Sequence, residues 1–332
     1  MEKILTVSVA AYNLGELIEK NLESFVKCKQ LEKIEVLVID DGSKDDTYDR
    51  VMKYVNIYSK SIKIIKQENA GPGSTINTAL KNASGKYFRL VDGDDWIDSE
   101  NLDKLISNLQ NVDVDMIIND FYVYDENQKI KNIVTFDIEK QKVLNPRQFN
   151  PKIDLLMHGT IYKTELFKKN NIIFDNGFYT DLEYLIYPIP YVEKIIYYNF
   201  PIYFYRVGRE GQSISIYSKL KHLDMHETVL YNLINYYEDA IKKLDNNLVI
   251  CVRNKILAMS TGNLNILLAK DKVNVNEVKQ FNLNIRNKSE EIYKHYKFKS
   301  QCIPIIYSNY LLTNLVSKIY KKKILKVKCK WK

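Results

Sequence analysis

The chain has 332 residues, 45% of them hydrophobic, and a formal net charge of +8. That length accommodates one large domain and a smaller appendage around a sizeable core. The last 15 residues carry eight lysines and no acid, so the main body is near neutral and nothing in it suggests a nucleic-acid partner.

Cys28, Cys251, Cys302 and Cys329 show no CxxC pair, and no histidine stands at zinc-ligand spacing from them. A disulfide framework and a structural zinc are therefore not expected, which fits a reducing cytoplasm. Lys3 and the apolar run 4–11 could imitate a signal peptide, but Glu16, Glu19 and Glu23 follow at once. A buried first strand followed by a helix is the expected reading. No stretch reaches the roughly 18 apolar residues of a spanning helix. Residues 302–320 come nearest, but Ser308, Asn309, Thr313, Asn314 and Ser317 interrupt them.

In chain order, residues 4–10 read as a strand and 14–28 as a helix with Leu14, Leu17, Ile18, Leu22 and Phe25 on one face. A strand over 34–39, a helix over 45–58, a strand over 62–65 and a helix over 74–82 follow. Then come a strand over 87–91, a helix over 102–109 and a strand over 115–124. Strands alternating with helices predict a mainly parallel sheet covered on both faces. Residues 125–150 read as a loop over the site, 151–216 as mixed, and the chain from 219 on as helical. The expected division is a nucleotide-binding catalytic domain over 1–218 and a helical region over 219–332.

Such sheets bind ligands beyond the carboxyl ends of their strands. The residues there are Ala11-Tyr12-Asn13, Asp40-Asp41-Gly42-Ser43, Asn69-Ala70-Gly71-Pro72-Gly73 and Asp92-Gly93-Asp94-Asp95. Asp92 and Asp94, two apart past a strand, suit a nucleotide diphosphate and a hard divalent cation that takes oxygen ligands; a helix-capping acidic turn is the plainer alternative. Asp40 can accept the imide N–H of uracil, while Ser43 and Asp46 resemble a capping box. Gly71 and Gly73 allow close backbone approach to a ligand. Asp181, at a predicted helix start, can be a cap or a general base. Arg206 and Arg209, in a loop with Gly211-Gln212-Ser213, can meet phosphate oxygens. His222 and His226 stand at i, i+4 but lack the partners of a metal site, and His158 and His295 are isolated.

The order of these segments closely resembles the inverting family-two glycosyltransferases of GT-A fold: 7–13, then 38–43 with Asp45 and Thr47, then Asn69 and Gly71, then 90–95. The resemblance covers residues 4 to about 215. It implies a nucleoside pocket lined by Ala10, Ala11, Tyr12, Asn13, Asp40 and Asp41, with Asn69 and Gly71 on the donor. It implies ribose and cation binding by Asp92, Gly93 and Asp94, with Asp94 the metal ligand and Mn²⁺ or Mg²⁺ the ion. Asp181 matches the Asp of the family's Glu-Asp base motif, although Thr180 replaces the Glu. The 211–213 segment looks like members that build bacterial wall polymers and capsules, where Arg206 would face the diphosphate.

The reaction so implied moves a sugar from a nucleotide donor, UDP above all, to a saccharide, polyol-phosphate or lipid-linked acceptor. A sugar nucleotidyltransferase is the first rival, but residues 10–15 lack its glycine-rich phosphate loop. A catalytically inactive nucleotide- or sugar-binding module is the second, and the retained Asp92, Asp94 and Asp181 argue against it. The basic segment 318–332 interleaves lysines with Ile319, Tyr320, Ile324, Leu325, Val327 and Trp331. This suits a protein held peripherally on an anionic membrane, here the inner face of the plasma membrane; a solvated, frayed terminus is the plainer alternative.

Overall fold

A computed structural model describes residues 2–127, 130–177, 179–208 and 216–330. Arg209, the Gly211-Gln212-Ser213 segment and Trp331 fall outside the described residues. The chain divides into two compact units: 1–210 with 245–248, and 211–244 with 249–332.

The first unit is built on one sheet. Its strands are β1 (Leu5–Ala11), β2 (Ile34–Asp40), β3 (Ile62–Lys66), β4 (Tyr87–Asp92), β5 (Trp96–Ile97), β6 (Met116–Asp125), β7 (Ile130–Val134), β8 (Thr160–Lys163) and β9 (Ile195–Val207). The helices are α1 (Leu17–Val26), α2 (Thr47–Tyr58), α3 (Pro72–Asn82), α4 (Ser99–Leu109), α5 (Thr164–Lys169) and α6 (Thr180–Ile186). In β1, Leu5, Val7 and Val9 are buried, and so are Thr6 and Ser8 between them. Side chains alternate faces along a strand, so burial of both sets means the sheet is covered on both sides.

The strand order is β3-β2-β1-β4-β8-β6-β9-β5, with β7 paired to β6. β3, β2, β1 and β4 are parallel neighbours. Beyond β4 the pairing is antiparallel at β4–β8, β6–β8, β6–β7 and β5–β9, and parallel only at β6–β9. The sheet is thus mixed, and its parallel half is the half that the alternating pattern announces. Residues 130–134, expected as loop, form a hairpin strand on β6. The chain runs from β1 outward to β2 and β3, then returns to place β4 on the other side of β1. That reversal opens a crevice between the carboxyl ends of β1 and β4, where sheets of this kind bind ligands.

The second unit is helical: α7 (Ile216–Lys221), α8 (Leu223–Tyr236), α9 (Leu248–Ala269, shared at its first residue with the other unit), α10 (Val275–Lys288), α11 (Glu290–Tyr296), α12 (Cys302–Tyr307) and α13 (Thr313–Lys330). Its core holds Leu230, Leu233, Ile256, Leu264, Val278, Phe281 and Ile285. His226 is buried there with Nδ1 2.9 Å from the Asn263 side-chain oxygen. Burial pushes its pKa down to about 4. Among the described residues, no helix is long and apolar enough to cross a membrane.

Candidate active site

Two loops lace one side of the crevice. After β1, Asn13 adopts a left-handed φ of 49°, which Asn tolerates better than most residues. Its N–H donates to Ser43 Oγ at 3.0 Å, and its Oδ1 accepts from Lys44 N–H at 2.8 Å. Thr47 Oγ1 accepts from the N–H groups of Leu14 and Gly15, both at 2.9 Å. These bonds displace the capping box expected from the sequence. Ser43 serves Asn13, and Asp46 makes no cap bond but pairs with Arg50 at 2.8 Å. Ala10 and Ala11 line the end of β1, and Tyr12 is exposed at the rim.

The two acids after β2 behave differently. Asp40 is fully buried, and its Oδ1 accepts from Ser43 N–H at 2.9 Å. Its Oδ2 is buried with no hydrogen-bond partner. An orphaned buried acceptor calls for a donor, and the imide N–H of a uracil is one. The Asp41 carboxylate is committed to the chain itself: it accepts from Gln67 Nε2 at 2.7 Å, Ala70 N–H at 3.0 Å and Gly71 N–H at 2.9 Å. Asn69 Nδ2 donates to the Asp41 carbonyl at 2.9 Å. Asp41 and Asn69 therefore hold the loop that starts α3.

The glycines of that loop meet protein at close range. Gly71 has a φ of 91°, and a Cβ there would lie 2.0 Å from the Asn176 carbonyl oxygen. At Gly73 a Cβ would lie 1.6 Å from the Asp175 carbonyl oxygen. Asn77 clamps the same segment, donating to Phe174 O at 2.9 Å and accepting from Phe174 N–H at 3.0 Å. From the other side, Glu183 Oε2 accepts from Asp175 N–H at 3.1 Å, and Tyr187 OH donates to Glu183 Oε1 at 3.0 Å. Burial, then the Asp175 charge, raises Glu183 to about 7. Residues 174–176 are thus fixed between α3 and α6, and the chain continues from them into Asp181. The capping alternative for Asp181 fails: Tyr179, at a φ of 71°, holds the cap position, and Asp181 is an exposed first-turn residue.

On the other side of the crevice stands the turn after β4. Gly93 is required because a Cβ would lie 2.3 Å from Leu14 Cδ1 and 2.7 Å from the Ala10 carbonyl oxygen. Asn21 of α1 staples the turn, donating to Asp92 O at 3.2 Å and Asp95 O at 2.9 Å. The Tyr203 hydroxyl accepts from Asp92 N–H at 3.1 Å and donates to Asp95 Oδ2 at 2.6 Å. Arg206 N–H donates to Asp95 Oδ1 at 2.8 Å. Asp95 is therefore internal scaffolding, and burial, reinforced by Asp92 and Asp94, raises its pKa.

Asp92 is open to solvent although it lies deep within the protein mass, as at the floor of a cleft. That environment, together with the charges of Asp94 and Asp181, pushes it up to about 7. Three carboxylates from two distant segments thus face one another electrostatically, and Tyr205 feels all of them. Carboxylate oxygens of Asp92 and Asp95 and a ring nitrogen of His158 lie within 4.8 Å of one another. The Arg206 guanidinium is buried, 5.0 Å over the Trp96 ring, with Nε 3.7 Å from Glu126 Oε2. Below the turn, Arg89 is fully buried and donates to His158 O at 2.6 Å, while its Nε and one terminal nitrogen have no hydrogen-bond partner.

Residues 6–170 match the family model described as glycosyl transferase family 2. These residues form a family 2 glycosyltransferase domain. Glycosyltransferase GlyA of Streptococcus pneumoniae is 27% identical over 224 residues, which cover 63% of this chain and 31% of GlyA. Poly(ribitol-phosphate) beta-N-acetylglucosaminyltransferase TarS of Staphylococcus aureus is 28% identical over 218 residues, covering 63% of this chain and 36% of TarS. The chain thus spans about a third of the length of these two relatives. The crystal structure of TarS 1–349 in complex with UDP-GlcNAc superposes with a TM-score of 0.71 at 21% identity, covering 97% of this chain and 92% of that one. Mannosyltransferase PcManGT of Pyrobaculum calidifontis, crystallised with GDP-Man and Mn²⁺, gives 0.52 at 16% identity over 97% and 87% of the two chains. These likenesses establish the GT-A fold.

The crevice brings together Ala10, Ala11, Tyr12, Asn13 and Asp40 on one side. Asp92, Gly93, Asp94 and Asp181 meet on the other. Asp41, Asn69 and Gly71 stand behind them as supports. Sequence reasoning did not find the parts played by Asp95, His158, Tyr203 and Tyr205. His158 and the tyrosines of β9 reach the Asp92 turn only through the strand order β4-β8-β6-β9, and no local spacing announces that.

Proposed function

We propose that the protein moves a hexosyl or N-acetylhexosaminyl group from a UDP-sugar to an acceptor hydroxyl, with inversion, in the synthesis of a bacterial wall polymer or other surface glycan. The observation that carries this reading is the convergence of Asp92, Asp94 and Asp181 at the β1–β4 crevice, where burial first and then the charges of Asp94 and Asp181 raise Asp92 to about 7. The orphaned Asp40 Oδ2 supports uracil on the opposite side. The likeness to TarS, named as an N-acetylglucosaminyltransferase and crystallised with UDP-GlcNAc, supports the donor class. Among saccharide, polyol-phosphate and lipid-linked acceptors, the name of TarS, a poly(ribitol-phosphate) transferase, supports a polyol-phosphate, and the lysines of the basic segment support attachment at an anionic membrane.

In this mechanism Asp181 accepts the proton of the acceptor hydroxyl as its oxygen attacks the anomeric carbon. The bond from that carbon to the diphosphate oxygen breaks on the opposite face, and UDP leaves with the electron pair. One carboxylate base suffices for such a single displacement, unlike the paired carboxylates of glycosidases. A hard divalent cation fits the donor set, because clustered carboxylates repel one another until a cation compensates them. Asp94 and Asp92 would hold Mn²⁺ or Mg²⁺, with Asp95 and His158 beside them. When bound, such an ion neutralises charge developing on the leaving diphosphate. Arg206 would reach a phosphate oxygen by leaving its place beside Glu126.

The test measures donor affinity and transfer rate side by side. Asp181→Asn should keep its melting temperature and UDP affinity and lose about 10²–10⁴-fold in turnover, the usual worth of a general base. Undiminished turnover would remove Asp181 from this role. Asp94→Ala should abolish cation-dependent donor binding, and full transfer in excess chelator would overturn the cation assignment.

A further inference from the structure

Helix α13 turns large aliphatic side chains outward, against the usual pattern for a helix in water. The fully buried residues of its packed side are small and polar, Thr313 and Ser317, with Val316 and Tyr320 half-buried beside them, and the Ser317 hydroxyl donates to Leu268 O at 2.7 Å. Its outward side carries Leu315 and Ile319, 53% and 50% exposed. A surface helix normally turns its apolar stripe to the core. The reversal continues into the preceding turn, where Leu311 is 86% exposed and Leu312 40%. That turn holds two consecutive left-handed residues, Asn309 at φ 49° and Tyr310 at φ 69°. A left-handed tyrosine is unfavourable. Here it directs Tyr310 inward, within 3.3 Å of Asn282 Nδ2, and leaves Leu311 facing out. Ile303 and Tyr307, one helical turn apart on α12, are exposed as well.

Charge gives the patch a partner. Leu315, Lys318, Ile319 and Lys322 stand at i, i+3, i+4 and i+7 of α13, hence on one face, and all four are exposed. No Asp or Glu occurs from Gln301 onward, while lysines recur to position 332. A uniformly cationic surface repels a second copy of itself and attracts an anionic one. Scattered exposed leucines mean little, but contiguous ones rimmed by charge mark an interaction site. Aliphatic side chains and lysines on one helix face are the pattern of a helix lying in a bilayer interface.

We propose that this face docks on an anionic phospholipid bilayer, with Leu311, Leu315 and Ile319 entering the lipid and Lys318 and Lys322 at the headgroup phosphates. The proposal deepens the membrane attachment read above from the lysines alone by naming the residues that insert. Two signals are needed because a single short apolar anchor binds only marginally.

The experiment is co-sedimentation of the full chain with phosphatidylcholine vesicles, with and without phosphatidylglycerol. The wild type should bind the vesicles containing phosphatidylglycerol and leave the neutral ones in suspension. Leu311→Ser with Leu315→Ser should weaken that binding on the order of a hundredfold at an unchanged melting temperature, since both side chains are exposed. Lys318→Gln with Lys322→Gln should weaken it about tenfold or more, with a shallower salt dependence. Failure of the wild type to sediment with anionic vesicles, or equal binding by the leucine variant, would overturn the proposal. So would a concentration-dependent dimer that the leucine variant loses, which would assign the face to a second copy. Asp181→Asn should bind vesicles like the wild type, so the docking surface and the transferase reading fail separately.

Discussion

The two sides of the crevice are made differently. The side proposed to hold the nucleoside is local: Asn13, Asp40, Ser43 and Thr47 stand at the end of β2, the start of α2 and the loops beside them, tied by backbone-to-side-chain bonds of 2.9–3.0 Å. The acidic side is assembled from afar. Asp92 and Asp94 come from the end of β4, Asp181 from α6, His158 from the segment before β8, and Tyr203 and Tyr205 from β9. The local side depends on short-range turn geometry, whereas the assembled side depends on the whole sheet closing correctly. The comparison teaches that binding of the donor base and the chemistry at the sugar should be separable by mutation.

The largest expected separation is at Gly73, which touches neither side. A Cβ there would collide with the Asp175 backbone and displace the segment that leads to Asp181. A misplacement of about 1 Å can cost on the order of 10²-fold in rate. Gly73→Ala should therefore lose about that much turnover while uridine affinity, measured by calorimetry, stays within about twofold. Equal losses in both would show that the two sides are one unit. A smaller effect of the opposite kind is expected at Asp40. Asp40→Ala removes the orphaned acceptor and should weaken uridine and UDP alike by about tenfold or more, the worth of a hydrogen bond to a charged group. Unchanged uridine affinity would put the base elsewhere. The smallest effect is expected at Tyr203→Phe, which takes the shared hydroxyl from Asp92 N–H and Asp95. It should lower stability by about 1–3 kcal/mol, read as a lower denaturant midpoint, with uridine affinity again untouched.

The same contrast explains what was legible in the sequence. β1, β2 and β4 with their trailing residues repeat a local strand-then-polar pattern, so the parallel half of the sheet and the aspartates beyond it could be read in order. The partners of those aspartates could not. Asp95 looks like part of the acidic motif, yet its oxygens are taken by Tyr203 and the Arg206 backbone. Asp41 looks like a ligand contact and turns out to bind its own loop. Gly71 and Gly73 signal close approach, and the approaching backbone is residues 175–176 rather than a ligand alone. In each case the residue type was informative, while the partner was set by strand order and by loops returning from far along the chain. The hairpin at β7 was missed because residues 130–134 alternate too weakly to distinguish a half-exposed strand from a polar loop.

The buried His226 of the helical unit has a consequence for acid tolerance. Its folded pKa, near 4, lies below the unfolded value of about 6.5. The stability it contributes is therefore complete above about pH 6.5 and drains away as pH falls toward 4, because the unfolded chain takes up the proton first. Glu183 in the sheet unit works in the other direction. Its folded value near 7 exceeds the unfolded 4.5 or so, so its contribution is complete in acid and lost as pH rises through neutrality. Mild acidification thus draws down the contribution of His226 in the helical unit while it strengthens that of Glu183 in the sheet unit.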